Sequence, residues 1–150
     1  MLNYKGRFLN ALFKYKLVKG FFMFLNAIAV FIGGGVGAVL RFLTSLAYLR
    51  FYNFNLPLAT LTVNLIGSFL LGLLIAYFDG ASDIPENVKC AMTIGLCGSF
   101  TTFSTFAFEV FDIIKRGEYF IAIFYTILSV FLCVLVAAAG YYWAKNYVYY

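Results

Sequence analysis

The 150-residue chain contains no histidine, and only 11% of its residues are charged. The missing imidazole removes the commonest general base and the commonest metal ligand of proteins. Soluble domains carry roughly 25% charged residues, so a chain this poor in charge is predicted to lie in a membrane. No acidic residue lies in the middle of an apolar segment, and Glu109, at the end of one, comes closest. This argues against a proton-coupled antiporter, which usually needs an intramembrane carboxylate.

Cysteine is scarce as well, and its placement gives no metal or disulfide signature. Cys90, Cys97 and Cys133 lie in apolar segments, and none belongs to a CxxC pair. We expect them to be small packing residues rather than disulfides or metal ligands. No nucleotide-binding loop or catalytic triad is visible, so the sequence does not predict an enzyme.

Four long uncharged segments are the main feature that the chain does contain. Apolar residues make up 64% of it, and its mean hydropathy is +0.93. A helix needs about 20 residues to cross the hydrocarbon core, and each segment is long enough. Short connections predict an up-down-up-down bundle without a soluble domain. The sequence therefore predicts an all-α, multi-pass membrane protein with helices at about 21–47, 57–78, 88–114 and 119–146.

Residues 1–20 are predicted to form a basic amphipathic extension before the first membrane span. Basic residues beside a first span are typical of a cytoplasmic anchor rather than of a nucleic-acid site. The apolar segment after Lys19 is too long for a cleaved signal peptide. Without the extension, the positive charges on the two sides of the membrane nearly balance, so the orientation stays open. The basic residues of the extension are Lys5, Arg7, Lys14, Lys16 and Lys19.

Two of the spans carry a polar face. In the second span, Asn64 must be hydrogen-bonded if it lies in hydrocarbon, either to another helix or as an amide donor to a passing ion. In the fourth span, Tyr125, Ser129 and Cys133 follow one another at intervals of four residues and so share a face. This stripe suits either helix packing or a track of donors for an anion. The polar face of the second span consists of Thr60, Asn64, Gly67 and Ser68.

The first span combines small residues with one charge. Gly33 and Gly37 are four residues apart, which favours close helix packing. Arg41 lies near the end of the span. Its side chain either snorkels to the membrane surface or places a positive charge in a water-filled vestibule that concentrates anions.

The third span is the least regular, because residues 95–106 (GLCGSFTTFSTF) contain two glycines, five hydroxyl side chains and three phenylalanines. Irregular backbone at membrane depth is tolerated where it is buried in protein or lines a wet cavity. Phe103 and Phe106 share a helix face, and the positive edges of their rings could contact a dehydrated anion. Ser104 and Thr105 add hydroxyl donors beside them. This span is predicted to be the working part of an ion pathway.

Three motifs together resemble the CrcB/Fluc family of fluoride channels. They are GAVLRF at residues 37–42, TVNLIGSF at 62–69 and the third-span run at 95–106. The resemblance covers about residues 22–146, that is, all four spans in order. It implies an antiparallel, dual-topology homodimer of four-span subunits with two fluoride pores, each built from both subunits. Residues 21–150 would form the channel domain.

The resemblance also implies roles for individual residues. Phe103 and Phe106 would be the aromatic pair that faces fluoride, beside the pore asparagine, Asn64. Tyr125 and Ser129 would lie on a fourth-helix polar track, where this chain departs from the family by having Cys133 in place of a further hydroxyl. Arg41 would be the vestibule arginine.

A structural sodium ion is implied at the centre of the dimer. It would be held by backbone carbonyls of Gly98 and Thr101, where the third helix is broken at the bilayer midplane. Ser99 stands where the family frequently has glycine, a change that a backbone site tolerates. Carbonyl oxygens are hard ligands and suit a hard cation.

The expected function is passive, fluoride-selective conduction across the cell membrane, which exports fluoride from the cytoplasm and lowers its toxicity. The expected partners are fluoride, a second copy of the chain and the lipid bilayer, with no nucleic acid. The alternatives are a small dual-topology drug/proton antiporter and a non-transporting membrane subunit. The missing central carboxylate counts against the first, and the polar third span counts against the second.

Overall fold

The computed structural model describes residues 3–51, 57–81 and 83–148, and within these ranges every regular element is helical. Helix α1 is unusually long, and the third apolar segment is divided into several short elements. The elements are α1 (Asn3–Phe51), α2 (Leu58–Gly80), α3 (Glu86–Cys90), the π-helix π1 (Ala91–Cys97), α4 (Gly98–Phe100), α5 (Phe103–Lys115) and α6 (Tyr119–Val148).

Four segments of the described residues are long and apolar enough to cross a membrane. They are Lys14–Arg50, Leu58–Gly80, Glu86–Lys115 and Tyr119–Tyr147. The predicted all-α architecture with four spans is therefore confirmed, and the chain is a multi-pass membrane protein. The third segment contains α3, π1, α4 and α5 in succession. An interruption of this helix at Gly98 and Thr101 is predicted above from the resemblance, whereas the π-helix before it is not.

Helix α1 extends well beyond one membrane thickness. Its 49 residues correspond to about 73 Å at 1.5 Å per residue, whereas the hydrocarbon core is about 30 Å thick. No helix end separates the predicted extension from the first span. The side chains of residues 1–13 lie outside the described ones, so the amphipathic character of residues 1–20 stays a prediction.

Glycines bring two pairs of helices into backbone contact. Helix α2 packs along α6, and α1 packs along π1 and α4. A Cβ atom added to Gly72 of α2 would overlap the carbonyl of Ala137, and one added to Gly140 of α6 would overlap the carbonyl of Phe69. Such close approach is typical of membrane helices, whose association depends on packing because the surrounding lipid is equally apolar.

The contact between α1 and π1 matches the sequence prediction for α1. A Cβ on Gly33 would overlap the carbonyl oxygen of Ala91, and one on Gly37 would overlap that of Leu96. Close packing at Gly33 and Gly37 is thus confirmed. The contact holds π1 against α1 and thereby fixes the segment that leads into the polar part of the third span.

A small buried core joins α5 to α6. Phe106 and Ile113 of α5 pack with Ala122 and Tyr125 of α6. The two helices are connected by a tight turn in which Gly117 has a φ of 80°, a left-handed conformation that glycine adopts without strain. The turn folds α6 back onto α5, and so places Tyr125 beside Phe106 and Glu109 of the third span.

Candidate functional site

The third span changes conformation at two threonines. Thr101 and Thr102 have extended backbone, with φ/ψ of −78°/159° and −150°/118°. In a continuous α-helix, the N–H of Thr102 would bond the carbonyl of Gly98, and the N–H of Thr105 would bond that of Thr101. Here the Thr105 N–H instead donates to the Thr102 hydroxyl at 3.2 Å, which caps the start of α5. The Thr102 N–H donates to a side chain of α2. The carbonyls of Gly98 and Thr101 therefore lose their helical donors.

Asn64 of α2 holds the extended segment through two hydrogen bonds. Thr102 N–H donates to Asn64 Oδ1 at 2.7 Å, and Asn64 Nδ2 donates to the Thr102 carbonyl at 3.1 Å. The amide oxygen thus replaces the Gly98 carbonyl as the acceptor of the Thr102 N–H. The amide N–H adds a second donor to the Thr102 carbonyl, which as the N-cap of α5 already accepts the first bond of that helix. Of the two uses foreseen for Asn64, the inter-helix hydrogen bond is confirmed. An amide carries two N–H donors, so this pairing leaves one for another acceptor.

A cavity of about 340 Å³ lies beside this pairing. Asn64 and Gly67 contribute to its α2 wall, and Ser129 contributes to its α6 wall. Gly67 is buried, and a Cβ added there would overlap the Thr101 side chain, so only glycine lets α2 approach the extended segment this closely. The predicted site residues in the wall of the cavity are Asn64, Gly98, Thr101, Phe103, Phe106 and Ser129.

The two predicted aromatic residues lie together but differ in exposure. The rings of Phe103 and Phe106 have centroids 5.8 Å apart and planes inclined at 47°. Phe106 is only 8% exposed and packs on the Tyr125 ring at 5.4 Å, whereas Phe103 is 78% exposed. Within the chain, Phe106 therefore has its orientation fixed by packing, and Phe103 points away from the core.

Tyr125 lies in a hydrogen-bonded group around Glu109. The Thr60 hydroxyl donates to Glu109 Oε1 at 2.6 Å, and the Tyr125 hydroxyl contacts Glu109 Oε2 at 3.3 Å and the Pro57 carbonyl at 3.4 Å. The tyrosine hydroxyl has a single hydrogen, and both contacts are acceptors. The Tyr125 hydroxyl hydrogen is therefore already bonded to an acceptor of the protein. The sequence analysis gave Glu109 no role, although it was the acidic residue closest to a span centre.

Ser129 is the neighbouring hydroxyl on α6, one turn after Tyr125. It is 5% exposed, and within the described part of the chain its Oγ has no hydrogen-bond partner. The Tyr125 hydroxyl lies near it, but not in hydrogen-bonding geometry. A buried polar group without a partner is costly. Ser129 is thus the member of the predicted polar track whose donor is uncommitted.

A second cavity, of about 260 Å³, contains Arg41. Thr60 and Thr105 also line it, so the arginine faces hydroxyl groups of two other helices. Thr102 lines both this cavity and the larger one. Thr102 was missed in the sequence, although it lies in the middle of the hydroxyl-rich run. It is shared by the walls of the two cavities.

The chain resembles known proteins along most of its length. Residues 28–141 match the family model described as CrcB-like protein, Camphor Resistance (CrcB). The chain belongs to the CrcB family. A fluoride-specific ion channel FluC of Hydrogenobaculum sp. (strain Y04AAS1) is 38% identical over 116 residues, which are 77% of this chain and 94% of that protein.

Two further relatives of this CrcB-family chain show the same pattern. FluC 1 of Yersinia pestis is 47% identical over 96 residues, which are 64% of this chain and 75% of that protein. FluC of Nautilia profundicola is 40% identical over 118 residues, 79% of this chain and 92% of that protein. The predicted family is thereby confirmed.

Three of the predicted residues of this CrcB-family member, Ser104, Thr105 and Tyr125, do not line the larger cavity but contact residues that do. Ser104 contacts the Thr102 hydroxyl at 3.4 Å, and the Thr102 hydroxyl donates to that of Thr105 at 2.9 Å. Tyr125 reaches the cavity through Phe106. The structure thus brings the predicted pore residues into one region, while their individual roles stay predictions.

Proposed function

We propose that this chain is a passive, fluoride-selective ion channel of the cell membrane, not an enzyme, and that it exports fluoride from the cytoplasm. The observation that carries the proposal is the larger cavity, where Asn64, Phe106 and Ser129 meet beside the extended segment at Thr101 and Thr102. The relatives named fluoride-specific channels support the choice of ion. Fluoride that enters as the neutral acid dissociates inside, and a negative-inside potential favours exit of the anion.

The donors around the cavity suit a strongly hydrated anion. Conduction requires groups that replace the hydration shell and yet bind weakly enough to release the ion. The Ser129 hydroxyl is without a partner, and Asn64 retains a second N–H. The edges of the Phe103 and Phe106 rings carry partial positive charge. We assign Ser129 as the direct hydroxyl donor and Tyr125 as the residue that positions Phe106, because the Tyr125 hydroxyl bonds to acceptors of the protein.

The two cavities suggest a route past Thr102. Arg41 raises the local concentration of anions in the smaller cavity, where the hydroxyl of Thr105 is a further donor. The anion then meets Ser104 and Thr102 at the boundary before it reaches the aromatic pair. We assign the smaller cavity as the vestibule, because it holds Arg41.

The proposed assembly is an antiparallel, dual-topology homodimer with two pathways. The larger cavity opens on one side of the subunit, and Phe103 at its edge is largely exposed. A second copy placed there would close the cavity and contribute its own residues to the wall. The near balance of positive charge outside residues 1–20 is compatible with insertion in both directions.

A structural sodium ion fits the backbone of the extended segment. The carbonyls of Gly98 and Thr101 have lost their helical donors, and unpaired carbonyls are costly in a membrane interior. Carbonyl oxygens suit a hard cation, and two antiparallel copies would supply four of them at the midplane. When bound, the ion would supply a fixed positive charge between the two pathways.

Fluoride efflux from liposomes tests the proposed function. The purified full-length chain is reconstituted, and efflux of fluoride and of chloride is measured without a pH gradient, with protein-free liposomes as the control. We expect rapid fluoride efflux and little chloride efflux. Equal rates would overturn fluoride selectivity.

The same preparation distinguishes the antiporter alternative, for which Glu109 is the available carboxylate. Transport that begins only when a pH gradient is imposed, and that is lost in Glu109→Gln, would favour antiport. A channel conducts without the gradient.

A further inference from the structure

Two thiols lie in the wall of the larger cavity. Cys97 of π1 and Cys133 of α6 line it together with Asn64, Phe106 and Ser129, whereas Cys90 does not. Cys97 is only 3% exposed, while Cys133 is partly exposed. Cys133 is therefore the more accessible of the two thiols of the cavity.

A second polar group in the same wall also lacks a partner. Ser129 precedes Cys133 by four residues on α6, so their side chains share one face of the helix. The Ser129 oxygen is buried and has no hydrogen-bond partner in the described part of the chain. A group bound at Cys133 would lie within one helical turn of this oxygen, which offers lone pairs as well as a hydrogen.

The chemistry of the wall restricts the kind of ligand. The chain has no histidine, and the described residues contain no group of three His, Cys, Asp or Glu side chains that could hold a metal. A chelating site for a hard or tetrahedral metal ion is therefore not available here. Thiols select soft cations such as Cu(I), which also accept low coordination numbers.

We propose that Cys133 is a binding site for soft monovalent cations, and that such an ion at Cys133 blocks the larger cavity. The sulfur–metal bond replaces the S–H bond, and the proton passes to water, so no oxidant or reductant takes part. The bound ion occupies space beside Ser129 that an anion must cross. The block rests on the proposed fluoride pathway, whereas the binding does not.

Silver ion is the probe for the block. Fluoride efflux from liposomes is measured with and without micromolar silver nitrate, in nitrate salts because silver chloride is insoluble. The result is expressed for each variant as the ratio of its two rates. The full-length parent is expected to lose most of its flux, and a thiol added afterwards is expected to restore it.

Two cysteine variants locate the effect. Cys133→Ser is expected to abolish the silver effect, while Cys90→Ser, which removes a thiol outside the cavity wall, is expected to retain it. A Cys133→Ser channel that silver still blocks would overturn the proposal. The proposal would also be overturned if silver still blocked Cys133→Ser but no longer blocked Cys97→Ser, because Cys97 of π1 would then be the silver site.

A count of bound silver separates this inference from the proposed function. Native mass spectrometry of the detergent-solubilised protein is performed in a Cys90→Ser background, which leaves Cys133 as the partly exposed thiol. We expect the further change Cys133→Ser to remove one silver ion per subunit. An unchanged count contradicts the site whether or not the protein conducts fluoride, and a protein that binds silver at Cys133 but conducts no fluoride contradicts only the proposed function.

Discussion

The pair of hydrogen bonds between Asn64 and Thr102 gives a sharp test of the site. Asn64→Ala removes the acceptor of the Thr102 N–H and one of the two donors to the Thr102 carbonyl. As the N-cap of α5, Thr102 keeps the helical bond to its carbonyl, so the N–H is the group left unsatisfied, at a cost of about 1–3 kcal/mol. Hydrogen bonds between membrane helices measure only about 0.6 kcal/mol on average, because freed groups find other partners.

For the Thr102 N–H, the available new acceptor is the carbonyl of Gly98, and a bond to it would destroy the extended segment. The residue is buried, and its N–H can recover a hydrogen bond by returning to the carbonyl of Gly98, which would close the extended segment into a helix. We therefore expect Asn64→Ala to lose fluoride flux and to be destabilised. A loss of about 2 kcal/mol corresponds to a fall in Tm of about 4–8 °C for a chain of this size.

Thermal unfolding in detergent, followed by the fluorescence of Trp143, measures this stability at constant protein concentration, because Tm depends on concentration in an oligomer. Asn26→Ala on α1 is the matched control, since Asn26 takes no part in either hydrogen bond. Asn64→Asp keeps an acceptor for the Thr102 N–H and is expected to recover part of the stability but not the flux, because its carboxylate repels anions. An Asn64→Ala protein with the Tm and the flux of the parent would refute the reasoning.

Four further predictions follow from other parts of the site. Phe106→Ile, and to a lesser degree Phe103→Ile, should suppress fluoride efflux while the proposed dimer stays folded, because isoleucine keeps the apolar volume but has no positive ring edge. Phe120→Ile, at a side chain that is 82% exposed, is the matched control, and parental flux in both the Phe106 and Phe103 variants would mean that the rings only pack. Gly67→Ala should lower stability by about 1–3 kcal/mol in thermal unfolding, because its Cβ overlaps the Thr101 side chain; an unchanged Tm would show that the segment yields freely. Gly98→Leu should abolish flux and dimerisation together, as size-exclusion chromatography would show. Gly98 is exposed and has room for a Cβ within its own chain, so the leucine should disturb the proposed dimer rather than the fold of the single chain. Thorough sodium depletion should also abolish flux, and full flux without sodium would count against the ion. Reporter fusions at the carboxyl end should show both orientations, and a single location would favour a parallel or heteromeric assembly.

The membrane spans could be predicted because charge alone delimits them. Lys19, Lys89 and Lys145 lie next to apolar segments long enough to cross a bilayer, and their positions need no knowledge of tertiary structure. An interruption of the third helix was predicted from its glycine- and hydroxyl-rich run and from the family resemblance, whereas π1 was not predicted. The position of π1 depends on contacts with α1 and α2, which are distant in sequence.

The polar residues show the same limit. Asn64 was predicted to need a partner, since an amide in hydrocarbon must be satisfied, but its partner Thr102 is 38 residues away. Glu109 was judged by its position near the end of a span. Its contacts with Thr60 and Tyr125 join three spans, and no local pattern connects them. Thus the residue types could be identified from sequence, whereas their pairing required the fold.

The glycine contacts between α2 and α6 limit how the chain can adjust to the thickness of the bilayer. Helices α2 and α6 touch backbone to backbone at Gly72 and Gly140, so neither can slide or rotate without carbonyl overlap. When the hydrocarbon core is thinner or thicker than the helices, this pair must tilt as one body. The third span is interrupted by the extended residues Thr101 and Thr102, which are the natural place for it to bend. We therefore expect hydrophobic mismatch to change the conformation first between α4 and α5, at the wall of both cavities.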